Sequence, residues 1–263
     1  MSISPSVATL TAGTLLSLCC ASASYAQNSC SYTSPANTQA LLELFTSDGC
    51  DSCPPANARA AAWLKSKSAI PVSYHVTYWN YLGWPDPFSQ SAFDARQNAY
   101  AHSARNTRVY TPAFFLNGRE WATWHRDSQA LRQEVTQTAP LRLQVDLVAA
   151  ADRSVDVRVR IDPIPGQTAP DPDNTQLGLL LVQDGVISRP AAGELKGVEL
   201  RHEHVVRSSQ ILQSRQAWQR SHVHRFALPG YEAATPARWA VVAYAQSSNL
   251  RDVYQSLDAP LCF

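Results

Sequence analysis

Two cysteines, Cys50 and Cys53, are separated by two residues in a Cys-Asp-Ser-Cys sequence. Two prolines and an alanine-rich segment follow. They predict a helix that begins near Cys53 and extends to about residue 67, because proline is favoured in the first turn of a helix and alanine throughout. The N–H groups and the positive dipole end at a helix N-terminus stabilise a thiolate, which is the attacking species in disulfide exchange. We therefore predict that Cys50 is the nucleophile and that Cys53 resolves the mixed disulfide.

The same two-residue spacing also occurs in zinc sites. Such sites normally use further cysteines or histidines at ligand spacing, and the chain has no second cysteine pair of this kind. We therefore predict no bound metal and no cofactor.

Two acidic residues, Asp48 and Asp51, lie beside and inside the motif. A like charge disfavours a thiolate at Cys50 and so disfavours the reduced state of the pair. Our hypothesis is that the pair is not a strong oxidant. The alternative is that both carboxylates are solvated and have little effect.

The N-terminus has the pattern of an export signal. Residues 8–21 are apolar, and small residues precede Ala26, after which we predict cleavage. The basic segment that usually begins such a leader is missing. A lipoprotein anchor at Cys19 or Cys20 is the alternative, although neither cysteine follows the small residue that such a site needs. We predict a signal peptide over residues 1–26 and bacterial export to the periplasm or the medium.

Removal of this leader leaves four cysteines, and an even set is expected to pair in an oxidising compartment. Cys50 and Cys53 are close in sequence, which leaves Cys30 to pair with Cys262. That bond would tie the two ends of the mature chain together. The alternative is two free thiols near the termini.

The pattern of the chain changes near residue 140. The first part predicts strands, helices and one tight hairpin in alternation, in this order: strand 40–45, helix 53–67, strand 72–78, helix 91–106, strand 112–116, turn 117–118, strand 120–123, helix 127–138. The second part alternates apolar and polar residues with period two, which favours an antiparallel sandwich. We expect an α/β domain over residues 38–139 and a β-rich domain over 140–263.

An aromatic and proline-rich loop, residues 79–88, lies between the second strand and the second helix. Trp79, Tyr81 and Trp84 could shape a substrate groove beside the cysteines. The alternative is that these rings only pack the loop onto the domain.

Histidines occur in two pairs with one residue between them, His202 with His204 and His222 with His224. If their strands were neighbours, four imidazoles could bind copper or zinc. We favour the alternative that the pairs lie on solvated faces of separate strands. His75, in the second predicted strand, is interpreted as a packed polar residue of the core rather than a catalytic base.

Three stretches of the chain, LLELFTSDGCDSCPPANA, YHVTYWNYLGWPDPFSQSAFDARQNAYA and VYTPAFFLNGR, resemble a family of exported bacterial thioredoxin-like proteins known only as a domain of unknown function. The segment VQDGVISRPAAGELKGVELRHEHVVR resembles the later half of that family. The resemblance implies that Thr111 and Pro112 face the cysteine pair through a cis peptide bond and hold an extended substrate chain. The expected fold is therefore α/β, with a thioredoxin-like domain followed by an antiparallel β-sandwich-like domain.

Charge and hydropathy narrow the range of partners. The formal net charge is +1, which gives no electrostatic reason to expect a nucleic-acid partner. No run of about 18 apolar residues occurs after residue 30, so no membrane span is expected in the mature chain.

We predict an oxidoreductase-like protein that exchanges disulfides with protein or small-molecule thiols through Cys50 and Cys53. The alternatives are a binding or structural module with a static Cys50–Cys53 disulfide and, less favoured, a copper- or zinc-handling protein. The oligomeric state stays open.

Overall fold

A computed structural model of the chain describes residues 1, 28–126, 129–213, 218, 221–230 and 238–263. Apart from its first residue, the predicted leader over residues 1–26 lies outside the described residues, as do Cys19 and Cys20. No helix of the described part is both long and apolar enough to cross a membrane.

Three helices and a larger set of strands make up the described chain. The helices are α1 (Pro54–Lys65), α2 (Ser91–Ser103) and α3 (Gln129–Glu134). The strands are β1 (Ser29–Thr33), β2 (Leu41–Thr46), β3 (Ile70–His75), β4 (Ala113–Leu116), β5 (Arg119–Glu120), β6 (Leu141–Ala150), β7 (Ser154–Pro163), β8 (Thr175–Gln183), β9 (Val186–Ser188), β10 (Leu200–His202), β11 (Val205–Gln213), β12 (His222–Ala227), β13 (Trp239–Ser247) and β14 (Val253–Pro260).

Within the described residues, one eight-stranded sheet runs across the position near residue 140 where the sequence pattern changes. Its order is β14-β13-β8-β11-β3-β2-β4-β5. Strand β11 joins the two segments, because Val205 pairs in parallel with Ser73 of β3 while β11, from Val205 onward, pairs antiparallel with β8. Strands β2 and β3 are also parallel, whereas β4 is antiparallel to β2.

A second, four-stranded sheet has the order β1-β6-β7-β12 and packs against the β8, β13 and β14 end of the large sheet. The period-two pattern of β6 produces this contact, since every second residue from Leu141 to Leu147 is buried. Because β1 pairs with β6, the N-terminal residues of the described chain belong to the same layer as the later segment.

The helices cover the remaining surfaces of the large sheet. Helices α1 and α3 pack on β2 and β4 through an apolar cluster that includes Trp63 and Leu131. Helix α2 packs with Phe93 and Tyr100 in another cluster, which also contains Tyr244 of β13. Successive strand residues therefore contact different cores, as expected when side chains alternate across a sheet.

The expected fold class, an α/β thioredoxin-like domain followed by an antiparallel β-sandwich-like domain, is wrong. The described residues are mostly β, with 41% strand and 18% helix, and their large multi-stranded sheets carry little helix. The sequence pattern predicted elements one by one, but it could not show that β11 pairs with β3. That non-local pairing merges the strands of both segments into one sheet.

The predicted tight hairpin at residues 117–118 is confirmed. Asn117 and Gly118 both have positive φ, 46° and 89°, as a two-residue hairpin turn requires. A Cβ at position 118 would lie 2.1 Å from the carbonyl oxygen of Leu250, so only glycine fits there.

Candidate functional site

The cysteine pair lies at the turn between β2 and α1. Cys50 follows the end of β2, Cys53 is the N-cap residue of α1, and the two form a disulfide with Cα atoms 5.4 Å apart. Both cysteines are fully buried, whereas Asp51 and Ser52 between them are exposed. The bond therefore lies directly beneath a two-residue stretch of surface.

Asp48, at the start of the same turn, is buried rather than solvated. Its backbone N–H donates to Oδ2 of Asp86 at 2.8 Å, and its own Oδ2 accepts the indole N–H of Trp84 at 3.3 Å. Its Oδ1 lies 3.0 Å from Nε2 of His202 without hydrogen-bond geometry. The alternative that both acidic residues of the motif are solvated therefore applies to Asp51 only.

Asp86 links the turn to β3. Its carboxylate accepts hydrogen bonds from the backbone N–H groups of Asp48 and Phe88 and, at 2.7 Å, from Nδ1 of His75. Burial alone would raise the pKa of Asp86, but His75 and these N–H donors hold it below its ordinary value. His75 is a buried polar residue of the core, as interpreted from the sequence, and it is paired with a buried carboxylate.

His202, at the end of β10, completes this buried polar cluster. Its ring centroid lies 4.8 Å from that of His75, and its Nδ1 lies 3.5 Å from Nδ2 of Asn57 in the first turn of α1. Burial lowers the pKa of His202, and the Asp48 carboxylate offsets only part of that effect.

The aromatic loop contacts the cysteine turn at more than one point. A Cβ at position 49 would lie 2.8 Å from Cβ of Trp79, so the loop backbone approaches the turn closely at Gly49. The Trp79 indole N–H donates to Oγ1 of Thr111 at 2.7 Å, and the exposed ring of Tyr81 stacks on Trp79. The loop thus packs onto the domain while the ring of Tyr81 stays exposed.

The structure places the remaining predicted residues as follows. The Thr111–Pro112 peptide bond is cis, and the Trp79 hydrogen bond to Thr111 joins it to the aromatic loop. Cys30 and Cys262 form a disulfide with Cα atoms 6.1 Å apart, away from the candidate site on β1 and after β14.

The expectation for the histidine pairs needs correction. His202 and His204 are buried, so they do not lie on a solvated strand face. His222 and His224 lie on β12 in the four-stranded sheet, so the two pairs are not on neighbouring strands.

His204 has its own pair of carboxylates. Its Nδ1 lies 2.7 Å from Oδ1 of Asp184, and its Nε2 lies 3.4 Å from Oδ1 of Asp258. Burial alone would lower the pKa of His204, but these two carboxylates raise it to about 10.

Two residues of the buried cluster, Asp86 and His202, were missed by the sequence analysis as part of the cysteine site. Asp86 lies in the aromatic loop, where the tryptophans and prolines dominated the interpretation. A charged residue between two prolines in an otherwise apolar loop is the signal that could have identified it. No local signal identifies His202, because it lies on β10, far along the chain from the cysteine turn, and contacts Asp48 and His75 only in the folded chain.

One group of described residues could hold a metal ion. Asp48, His75 and Asp86 each offer a ligand atom, these atoms lie within 4.8 Å of one another, and all three residues are buried.

Two solved structures are similar to this chain. A protein from Agrobacterium tumefaciens matches with a TM-score of 0.59 and 22% identity, over 85% of this chain and 95% of that one. HBP35 of Porphyromonas gingivalis matches with a TM-score of 0.58 and 15% identity, over 87% of this chain and 76% of that one. At these identities the likeness shows a shared fold alone. No curated protein matches the chain significantly.

A family profile described as Protein of unknown function (DUF1223) matches residues 41–246, which include the cysteine turn, the aromatic loop and His202. This match covers most of the chain, and the chain therefore belongs to that family.

Proposed function

We propose that the protein carries out thiol–disulfide exchange through Cys50 and Cys53. The observation that carries this proposal is the position of the disulfide between a strand end and a helix N-terminus, beneath exposed Asp51 and Ser52. The N–H groups of the first helical turn and the helix dipole stabilise a thiolate at such a position.

The exchange conserves electrons at each step. A substrate thiolate attacks Sγ of Cys50, the Cys50–Cys53 bond breaks, and Cys53 leaves as a thiolate. A second substrate thiolate then attacks the mixed disulfide at the substrate sulfur, which releases an oxidised substrate and the Cys50 thiolate. In the reverse direction Cys50 attacks a substrate disulfide and Cys53 resolves the intermediate.

The proposed substrate is a protein or small-molecule thiol, and the surroundings of the pair support a functional site at the cysteine turn. Buried titratable groups concentrate at functional sites, and here Asp48, Asp86, His75 and His202 lie beside the cysteine turn. Tyr81 offers an exposed ring next to that turn. Thr111 and Pro112 are proposed to position the substrate chain.

Trapping of the mixed disulfide tests this function. Cys53→Ser keeps the attacking thiol and removes the resolving one, so it should accumulate mixed disulfides with a model peptide disulfide. Cys50→Ser removes the attacking thiol and should trap much less. Equal trapping by both variants, or none by either, would show that Cys50 is not the nucleophile.

A second candidate function is that of a binding or structural module in which Cys50–Cys53 is a static disulfide. The complete burial of both cysteines favours it, because a thiolate must reach a sulfur atom to attack it. Exchange through this pair requires the exposed residues Asp51 and Ser52 to move aside. A static disulfide requires no such opening. The rate and potential of reduction separate the two.

We further propose that the protein is exported to the periplasm or secreted. The two disulfides support this, since such bonds persist in oxidising compartments. N-terminal sequencing of protein recovered from those compartments tests the predicted cleavage after Ala26.

A further inference from the structure

We propose that a pocket between the C-terminal end of α1 and strands β13 and β14 binds a short apolar peptide whose amino and carboxyl ends are free. The pocket has a volume of about 570 Å³, within the range of about 300–1,000 Å³ that is typical of small-molecule sites. Leu64 and Lys65 at the end of α1 line it, whereas the cysteine turn precedes the start of α1. The pocket is therefore a separate site, and the proposal does not depend on disulfide exchange.

The walls of the pocket are apolar. They include Leu64 of α1, Ile70 of β3, Ala240 of β13 and Leu257 of β14. Binding sites for organic molecules are commonly lined in this way, with a small number of polar groups that fix the orientation of the ligand. These walls favour a ligand with an apolar body over a free ion.

Two carboxylates and a buried histidine form the acidic part of the pocket. Oδ1 of Asp184 accepts hydrogen bonds from the backbone N–H and from Nδ1 of His204, both at 2.7 Å. On the other side of the ring, Nε2 of His204 lies 3.4 Å from Oδ1 of Asp258 without hydrogen-bond geometry. Burial lowers the pKa of His204, but the two carboxylates raise it to about 10, so the ring is charged at neutral pH. One imidazolium thus faces two carboxylates, and the remaining negative charge favours a single cationic group in the ligand.

Part of each carboxylate stays available to a ligand. The side chains of Asp184 and Asp258 are each 26% exposed. Within the described residues, the hydrogen bonds and ion pairs of both carboxylates involve Oδ1 alone. Each Oδ2 therefore keeps its lone pairs for another donor. A primary ammonium group carries three donors and the required charge, so the amino end of a peptide fits this part of the pocket.

Lys65 and Lys67 supply positive charge at the rim. Both line the pocket and are exposed, and neither forms an ion pair with another described residue. Because the two aspartates are largely buried and the lysines are exposed, the pocket presents opposite charges at different depths. A free amino acid carries its ammonium and carboxylate on one carbon atom, whereas a short peptide separates them by an apolar length. This separation of charge is the reason to infer a peptide.

Isothermal titration calorimetry of the mature protein, with both disulfides intact, tests the proposal with the dipeptide leucyl-phenylalanine. We expect one dipeptide to bind per chain. Acetylation of its amino group removes the ammonium and should weaken binding at least about tenfold, because a hydrogen bond to a charged group is lost. Amidation of its carboxyl group should weaken binding only about threefold, because the lysines are exposed. No binding of the unmodified dipeptide at millimolar concentration, or equal binding of the acetylated one, overturns the proposal.

Variants of the lining residues assign the binding to this pocket. Asp258→Asn removes one negative charge and should weaken binding at least about tenfold, and near-UV circular dichroism establishes whether it is folded. Leu64→Trp, at a half-buried position near the end of α1, narrows the pocket without changing its charge and should also prevent binding. Asp162→Asn, in an exposed ion pair on β7, is the matched control and should bind like the native chain.

The variant Tyr81→Ala separates this pocket from the aromatic loop beside the cysteine turn. The Tyr81 ring is exposed, and its removal should leave binding of the dipeptide unchanged. A loss of binding in Tyr81→Ala would assign the dipeptide to the aromatic loop. That result, or native binding by folded Asp258→Asn or by Leu64→Trp, overturns the proposal.

Discussion

The indole N–H of Trp84 donates a hydrogen bond of 3.3 Å to Oδ2 of Asp48, two residues before Cys50. This bond ties the aromatic loop to the turn that carries the disulfide. The close approach of Trp79 to Gly49 adds a second contact between the same two segments. We therefore expect access to the buried sulfur atoms to depend on how firmly the aromatic loop holds the turn.

Removal of the Trp84 side chain should speed reduction of the Cys50–Cys53 bond. A hydrogen bond to a charged group contributes about 1.5–3 kcal/mol, and a change of about 1.4 kcal/mol corresponds to a factor of ten in an opening equilibrium. We expect Trp84→Ala to be reduced by dithiothreitol at least about tenfold faster, as measured by alkylation and mass spectrometry.

Trp124→Ala is the matched control for this prediction. Trp124 is half-buried and contacts Phe114 in the cluster of α1 and α3, so its loss should leave the rate of reduction unchanged. Equal rates in Trp84→Ala and the native chain would show that the loop does not limit access.

The buried ion pair between Arg96 and Glu43 should be important for stability. Nε of Arg96 lies 2.6 Å from Oε1 of Glu43, whose side chain is completely buried, and the guanidinium also lies over the rings of Tyr74 and Tyr244. Arg96→Met leaves the Glu43 charge unpaired, which typically costs about 3–5 kcal/mol. Urea unfolding measures this loss of free energy.

The exposed pair of Arg119 with Asp252 provides the comparison. Their side chains are 71% and 43% exposed, and such pairs contribute about 0–1 kcal/mol. Arg119→Met should therefore change the free energy of unfolding by less than about 1 kcal/mol. A loss in Arg96→Met as small as this would contradict the importance of the buried pair.

His204 should make stability fall as the pH rises. Its pKa is about 10 in the folded chain against 6.5 for the ordinary side chain, because Asp184 and Asp258 favour the charged form. The stabilisation is fully present below about pH 6.5 and is lost as the pH rises toward about 10. Tyr32 and Lys65 line the same pocket as His204, Asp184 and Asp258, so the stability of a His204 variant must be compared with that of the native chain at each pH.

The variant His204→Gln tests this dependence. We expect it to lower the free energy of unfolding at pH 6 by about 2 kcal/mol. This is less than the loss for a fully buried ion pair, because the side chains of Asp184 and Asp258 are each 26% exposed. Its melting temperature should then vary less than that of the native chain between pH 6.5 and 10. The control variant His102→Gln, at an exposed site, should keep the native pH dependence of the melting temperature. If the melting temperatures of His204→Gln and the native chain change in parallel with pH, His204 does not have this role.

The Cys30–Cys262 disulfide should stabilise the fold through chain entropy. It joins residues 232 positions apart, and a loop of that length corresponds to about 5 kcal/mol on the chain-entropy description. The double variant Cys30→Ser/Cys262→Ser should lose a large part of this free energy in denaturant unfolding, with the Cys50–Cys53 bond intact. A loss below about 1 kcal/mol would mean that other contacts already hold the termini together.

Local features of this protein could be predicted from the sequence. The hairpin at Asn117 and Gly118 follows from two residues that tolerate positive φ, and the position of Cys53 at the start of α1 follows from the prolines after it. The pairing of Cys30 with Cys262 followed from counting cysteines in the mature chain. Each of these depends on residue type and near neighbours alone.

Features that depend on non-local pairing could not be predicted. The contact of Val205 with Ser73 merges the two segments into one sheet, and no periodicity in either strand specifies its partner. Asp48 is buried against Asp86, Trp84 and His202, and its sequence neighbourhood gives no sign of these contacts with other segments. Asp94 of α2 is a smaller example, since its carboxylate accepts the backbone N–H of Thr77, a residue of another segment.

The reduction potential of the Cys50–Cys53 pair, measured by equilibration of the mature protein with glutathione or dithiothreitol buffers, tests the proposed function most directly. Exchange enzymes have potentials of roughly −120 to −270 mV, and we expect a value in that range, toward its reducing end. A value below about −300 mV would contradict thiol–disulfide exchange and identify the pair as a static structural disulfide.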